Sequence, residues 1–213
     1  MGSLILTLLG CTHLGTLDDA IPLPPGAGVF TTEVQVTRAP NPVSTPTFVP
    51  LPAVAFHYRH GLGPDVDAGL HVYPLGLGLD VRHRFAQLDG WHFATQPGVA
   101  GFILPWTTFH LGHLDVSLPV RAEHALGPYW SIAGGPGVIG RQLFFGTTVD
   151  GQTSNAATFE LYLGGGARVQ RTGRRLRFGI SADLYVDTLR TTGLYGGVGF
   201  DLGIQRRASV DTP

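Results

Sequence analysis

Apolar and polar side chains alternate along much of this chain. Leu176, Phe178, Ile180, Ala182, Leu184 and Val186 share one parity, against Arg175, Arg177, Gly179, Ser181, Asp183, Tyr185 and Asp187 on the other. Leu194, Val198, Phe200, Leu202 and Ile204 likewise oppose Tyr195, Gly197, Gly199, Asp201 and Gln205. Leu75, Leu77, Leu79, Val81 and Phe85 oppose Gly76, Gly78, Asp80, Arg82 and Arg84, and Phe30, Val34 and Val36 oppose Glu33 and Gln35. A helix scatters such charges around its axis, whereas a strand puts them on one face. The period of two predicts ten strands, over 29–38, 47–59, 65–73, 75–86, 91–104, 109–122, 129–141, 157–170, 174–187 and 193–206.

Most of these segments exceed the usual strand of about 5–6 residues. They match the roughly 9–11 residues with which a tilted strand crosses a bilayer. No stretch has the roughly 18–20 continuous apolar residues of a spanning helix, so a bilayer could be crossed only with strands. The links after strands two, four, six and eight are short, whereas Ala39 to Pro46 and the polar stretch Gly146 to Ala156 read as longer loops. Short turns at one end and longer loops at the other are the asymmetry of an up-and-down membrane barrel. The tight link at Pro74-Leu75 is an exception on the long-loop side. The fold class this predicts is all-β, an up-and-down antiparallel transmembrane β-barrel of ten strands. The alternative count is eight, with 29–59 outside the barrel. Residues 1–28 read as a signal-like segment and Pro-rich linker, 29–206 as the barrel and 207–213 as a short tail.

Composition decides which face points outward. Charged residues make up 14% of the 213 residues and hydrophobic residues 43%, and all 14 basic side chains are arginine. A solvated surface usually carries about 25–35% charged residues, lysine among them. The charges also sit mid-strand and nearly balance, with Glu33, Asp67, Asp80, Asp115, Glu160, Asp183 and Asp201 against Arg82, Arg84, Arg121, Arg168 and Arg177. Such a set fits a lumen in which guanidinium forks pair with carboxylates. A turn centred at 74–75 sets Asp67 opposite Arg82. A Thr172-Gly173 turn sets Glu160 opposite Tyr185 and Tyr162 opposite Asp183. Glycines at 134–135, 164–166 and 196–197 leave room for bulky neighbours in a narrow lumen. A net charge of −1 disfavours nucleic acid as a partner.

The tryptophans lie at strand ends. Trp91 and Trp130, with Tyr129, follow short turns, and Trp106 stands at the opposite end. Membrane barrels wear aromatic girdles at both headgroup levels. In this pattern the segment from about 29 to 206 resembles the small outer-membrane β-barrels of Gram-negative bacteria. The resemblance implies insertion from the periplasm, an outer-membrane location with both termini periplasmic, and membrane lipids and other envelope proteins as partners. It implies no particular activity. Leu8-Leu9-Gly10-Cys11, at the end of a short apolar run, resembles the lipobox of bacterial lipoproteins, which implies a lipid on Cys11.

Candidate chemistry is sparse. His57 and His60, and His110 and His113, are three apart and so point to opposite faces of a strand, which disfavours a metal clamp. A lipid-modifying barrel enzyme would use Ser117 or Ser181 with His71, His92 or His113, but no short motif joins them. The Arg171, Arg174, Arg175 and Arg177 cluster, at a short turn, suits lipid headgroups or a soluble partner. No cofactor is implied. The leading expectation is a structural or partner-binding envelope component, or a narrow pore, with its lumen largely closed by charged pairs. The alternatives are a lipid-modifying enzyme and a soluble lipocalin-like barrel with its apolar parity inside.

Overall fold

The structure is a computed structural model, and it describes residues 19–38, 51–73, 76–105, 109–149, 152–189 and 194–206. Its strands are β1 (Gly28–Arg38), β2 (Leu51–Gly61), β3 (Val66–Tyr73), β4 (Gly76–Leu88), β5 (Trp91–Thr95), β6 (Gly98–Pro105), β7 (Phe109–Ala125), β8 (Trp130–Val149), β9 (Gln152–Thr172), β10 (Leu176–Asp187) and β11 (Leu194–Arg206). Each pairs antiparallel with its neighbours, β1 pairs with β11, and β3 pairs with β4, so the sheet closes. Closure leaves no free sheet edge around the wall. Strands β5 and β6 both lie between β4 and β7, so they form one wall position and the barrel has ten.

That split corrects the single strand expected over 91–104. Pro97 has no N–H to give the ladder, and around it the pairing continues only through Gln96 N–H to Pro119 O (3.1 Å) and Val81 N–H to Pro97 O (3.0 Å). The expected polar loop from Gly146 to Ala156 is also corrected. Pairing of β8 with β9 runs to Val149 opposite Gln152, so that stretch is the end of a long hairpin. Residues 154–157 of this hairpin are all exposed, and the β9–β10 pairing has already ended at Tyr162 opposite Asp187, so no described strand flanks them on that side. A third correction concerns the β9–β10 register. Tyr185 is opposite Gly164, Asp183 opposite Gly166, and Tyr162 opposite Asp187. The turn is centred on Arg174-Arg175, with Gly173 N–H bonded to Leu176 O at 2.7 Å, and not on Thr172-Gly173. Asp67 does stand opposite Arg82.

Turn chemistry fixes the β4–β5 hairpin at this end. Asp89 and Gly90 both have positive φ, 49° and 80°, the conformation that a two-residue type I′ hairpin requires and that Asp-Gly supplies. Gly135 has φ 153°, and a Cβ there would lie 2.2 Å from Val120 O, where the β7–β8 ladder skips two residues. Gly135→Ala is therefore expected to lower unfolding stability by about 1–3 kcal/mol. Gly63→Ala, with open space around it, is expected to be near neutral. Urea titration of both variants in detergent checks this.

Burial is inverted relative to a soluble barrel. Asp67, Arg82 and Arg121 are 0% exposed, whereas Leu79, Ile180 and Phe200 are 57%, 55% and 48% exposed. In β10 the alternation is strict from Ser181 to Asp187, with polar residues inside and apolar ones outside. Apolar side chains on every wall position form an outer belt far beyond the few hundred Å² of contiguous apolar patch that water-soluble monomers expose. The soluble-barrel alternative needs the opposite arrangement.

Candidate functional site: the closed lumen

The lumen is built from the inward parity of each strand. Asp67 on β3 accepts from Arg82 Nε of β4 at 3.2 Å, from the same guanidinium's Nη2, and from Arg59 Nη1 of β2 at 2.5 Å. Arg59 Nη2 reaches on to Asp80 (2.5 Å), which also contacts His71. His71 is paired in register with His57, and His57 Nε2 lies 3.0 Å from Glu33. This polar chain crosses four adjacent strands, β1 to β4. Gly69 makes room for it, since a Cβ there would sit 2.7 Å from Arg59 and 2.8 Å from Asp80.

A second group lies on the other side of the barrel. Arg141 on β8 clamps Asp115 on β7 with two bonds of 2.7 Å, the bidentate geometry in which such pairs are strongest. Arg168 bonds Asp201 at 2.7 Å, and Tyr162 O–H donates to Glu160 at 2.7 Å. Ile139, Tyr162 and Tyr185 make an apolar cluster inside the lumen. The space that remains includes a cavity of about 40 Å³ lined in part by His71, Tyr73, Asp80, Gln96, Asp115 and Ser117. That volume holds a few waters at most.

The chain segment before β1 completes the closure. Asp19 to Ala27, read from sequence as linker, enters the short-turn end of the lumen and bonds to β2, β3, β4, β7 and β10. Asp19 accepts from Arg177 Nη1 through its carboxylate (2.7 Å) and from Arg82 Nη1 through its backbone carbonyl (2.7 Å). The N–H groups of Ala20 and Ile21 bond Glu123 Oε2 at 2.8 and 3.1 Å, and Leu23 N–H bonds Asp67 Oδ2 at 2.8 Å. Ten carboxylates and six guanidiniums are buried among the described residues, so guanidiniums alone do not meet every carboxylate. The plug's backbone donors and His57 and His71 add partners for Glu123, Asp67, Glu33 and Asp80. A Cβ on Gly61 would lie 2.1 Å from Pro24 O, so Gly61→Val is expected to push the plug out. Limited proteolysis of the folded barrel reads this as new cleavage within residues 19–27, where the wild type is protected.

Of the residues singled out from sequence, Glu33, Asp67, Asp80, Arg82, Asp115, Arg121, Glu160, Arg168, Arg177, Asp183 and Asp201 are buried on the inward parity. Arg84 instead stands half-exposed near the rim, bonded to Asp65 at 2.8 and 2.5 Å. Its strand is there close to the Asp89-Gly90 turn. Trp91, Tyr129 and Trp130 are exposed at the short-turn end. Trp106 and Cys11 lie outside the described residues. Ser117 lines the cavity and Ser181 is buried in the lumen, and neither is hydrogen-bonded to a histidine among the described residues. The Arg171–Arg177 cluster divides, for Arg177 turns inward to Asp19 while Arg171, Arg174 and Arg175 are exposed.

The set of lumen charges read from sequence left out Arg59, Glu123, Arg141, Asp19 and, though it was placed on the polar parity, Asp187, all buried. Arg59 was within reach, because Ala55, His57 and Arg59 alternate with Val54, Phe56 and Tyr58. Glu123 follows the expected end of its strand at 122, and Asp187 and Arg141 end theirs. Nothing local marks Asp19, whose partners are 63 to 158 residues away.

No protein-family model matches the chain, and no curated protein is similar to it in sequence. Solved structures are similar in fold. The translocator domain of the autotransporter NalP from Neisseria meningitidis superposes with a TM-score of 0.53 at 10% identity, covering 97% of this chain and 94% of that one. The outer-membrane protease OmpT from Escherichia coli gives 0.46 at 6% identity, covering 85% and 96%. The attachment invasion locus protein Ail of Yersinia pestis gives 0.43 at 13% identity, covering 85% and 99%. With its closed ten-position antiparallel wall, apolar outside and charged inside, the chain has the fold of the bacterial outer-membrane β-barrels.

Proposed function

We propose that this protein is an integral outer-membrane barrel whose lumen is sealed, and that it serves the envelope as a scaffold displaying the long β8–β9 hairpin to a partner. The inverted burial carries this reading: Arg82 and Arg121 are fully enclosed while Ile180 and Phe200 line the outside. Both ends of the chain lie on the periplasmic side in this proposal, since the short turns and the plug share one rim. A sealed lumen disfavours the porin-like version, and it is supported by the ion-pair groups, the Ile139–Tyr162–Tyr185 cluster and the Asp19–Ala27 plug that occupy the lumen among the described residues.

Two measurements test it together. The folded protein is expected to need detergent or lipid to stay dispersed and to migrate faster on a gel before boiling than after. In planar bilayers it is expected to carry no steady current. Stability in plain buffer would overturn the membrane reading, and large open-channel currents would overturn the sealed lumen. A lipid on Cys11 belongs to the same proposal. Asp19 is eight positions along from it, a reach of up to about 26 Å, enough to place an acyl chain in the leaflet beside the short-turn rim. Labelled palmitate should enter the wild type and not Cys11→Ser.

A further inference from the structure

The short-turn rim carries arginines that the lumen does not use. On the β9–β10 hairpin Arg177 points inward and is neutralised by Asp19 at 2.7 Å. Arg84, at a different turn, is neutralised by Asp65. Arg171, Arg174 and Arg175 are exposed and make no ion pair with any described residue. Three guanidiniums thus fall within five positions with no internal counter-ion, a local surplus of positive charge at the rim.

Their setting indicates which anion. Arg171 is on the outward parity of β9, two residues beyond Val169, which is 43% exposed as part of the apolar belt. In register it stands between Trp130 on β8 and Phe178 on β10. Those two rings meet edge to face, with centroids 5.7 Å apart, and the Arg171 guanidinium carbon lies 5.9 Å from the centre of the Trp130 ring. The arginine is thus held against the girdle at the level where apolar wall gives way to headgroups. Arg174 and Arg175 form the hairpin tip immediately beyond, in a turn closed by Gly173 N–H to Leu176 O. Guanidinium forks match phosphate oxygens bidentately, and the amphipathic ring beside them suits the glycerol and upper acyl region of a lipid.

We propose that Arg171, Arg174 and Arg175, with Trp130, form a binding site for the phosphate of an anionic phospholipid in the leaflet at the short-turn rim. The site rests on the membrane reading above. A soluble acidic partner fits less well, because Arg171 is on the lipid-facing parity and stacked on a girdle aromatic. Each guanidinium at such a surface contributes roughly fivefold to binding an anionic lipid, so three together give a strong local preference.

The test places the full chain in nanodiscs of phosphatidylcholine containing a minor fraction of phosphatidylglycerol, then counts the lipids retained by native mass spectrometry. Wild type is expected to retain phosphatidylglycerol well above its share. The Arg171→Gln/Arg174→Gln/Arg175→Gln variant is expected to lose that enrichment, falling about fivefold for each guanidinium removed. Arg84→Gln is expected to keep it. All three side chains are exposed, so the triple variant should insert and keep its heat-modifiable migration. A wild type that inserts but shows no lipid preference, or a triple variant that retains phosphatidylglycerol like wild type, overturns the site while leaving the membrane reading standing. Failure of the wild type to enter the discs overturns both.

Discussion

Asp67→Asn is expected to cost about 3–5 kcal/mol of unfolding stability. Asp67 is 0% exposed, and it holds Arg82, also 0% exposed, together with Arg59. Removing its charge takes a carboxylate from two enclosed guanidiniums: Arg59 keeps its bond to Asp80, whereas Arg82 is left with neutral oxygens, the Asp19 carbonyl and the new amide. The cost comes from the unpaired cation more than from the lost bond, because a buried charge without a partner retains its full desolvation penalty. Asp67→Leu combined with Arg82→Met should therefore recover part of the loss, although Leu23 N–H and the Asp19 carbonyl then lose partners. Urea unfolding of the three proteins in lipid vesicles measures it. If Asp67→Asn unfolds like wild type, the ion-pair chain of β1 to β4 contributes nothing to the fold.

The second large effect lies on the other face of the wall. Ile180 is in the middle of β10, 55% exposed, with Phe200 beside it in register. An arginine on the lipid face near the bilayer midplane costs about 2–4 kcal/mol, falling toward about 0–1 kcal/mol at the interfaces. Ile180→Arg is accordingly expected to destabilise the inserted barrel by the larger amount and Leu176→Arg, near the rim, by the smaller. In a barrel with water outside, the two substitutions would be equally harmless. The comparison of depths thus separates a bilayer from a solvated surface, using residues that touch no part of the lumen network.

Sequence alone carried the wall a long way and the closure only partly. Alternation in β1, β4, β10 and β11 is legible because one face meets apolar surroundings and the other a polar interior, which forces a period of two. The same rule places Asp67 against Arg82, since the intervening link is tight. It fails where geometry depends on more than parity. The β9–β10 register moved because either Thr172-Gly173 or Arg174-Arg175 can form the turn, and parity is the same for both. Pro97 divides one wall position into β5 and β6, a break that apolar residues on both sides conceal. Residues 154–157 of the β8–β9 hairpin lose their alternation because both parities are exposed there, so the stretch reads as a loop. Asp19 was hidden because its role is set by side chains of β4 and β10 far along the chain, brought together only by closure. Division of the Arg171–Arg177 group into one lumen arginine and three rim arginines needed the turn centre as well.

The account depends most on which way the apolar parity points. Single cysteines at Leu79, Ile180 and Phe200, and for contrast at Ser181 and Gly199, can be introduced in a Cys11→Ser background and spin-labelled in reconstituted vesicles. Collision of each label with dissolved oxygen, which concentrates in acyl chains, is then compared with collision with a water-soluble nickel chelate. Labels at the first three positions are predicted to meet oxygen and escape nickel, and those at the last two to be shielded from both. Strong nickel relaxation at Ile180 and Phe200 would place water around the wall and contradict the account.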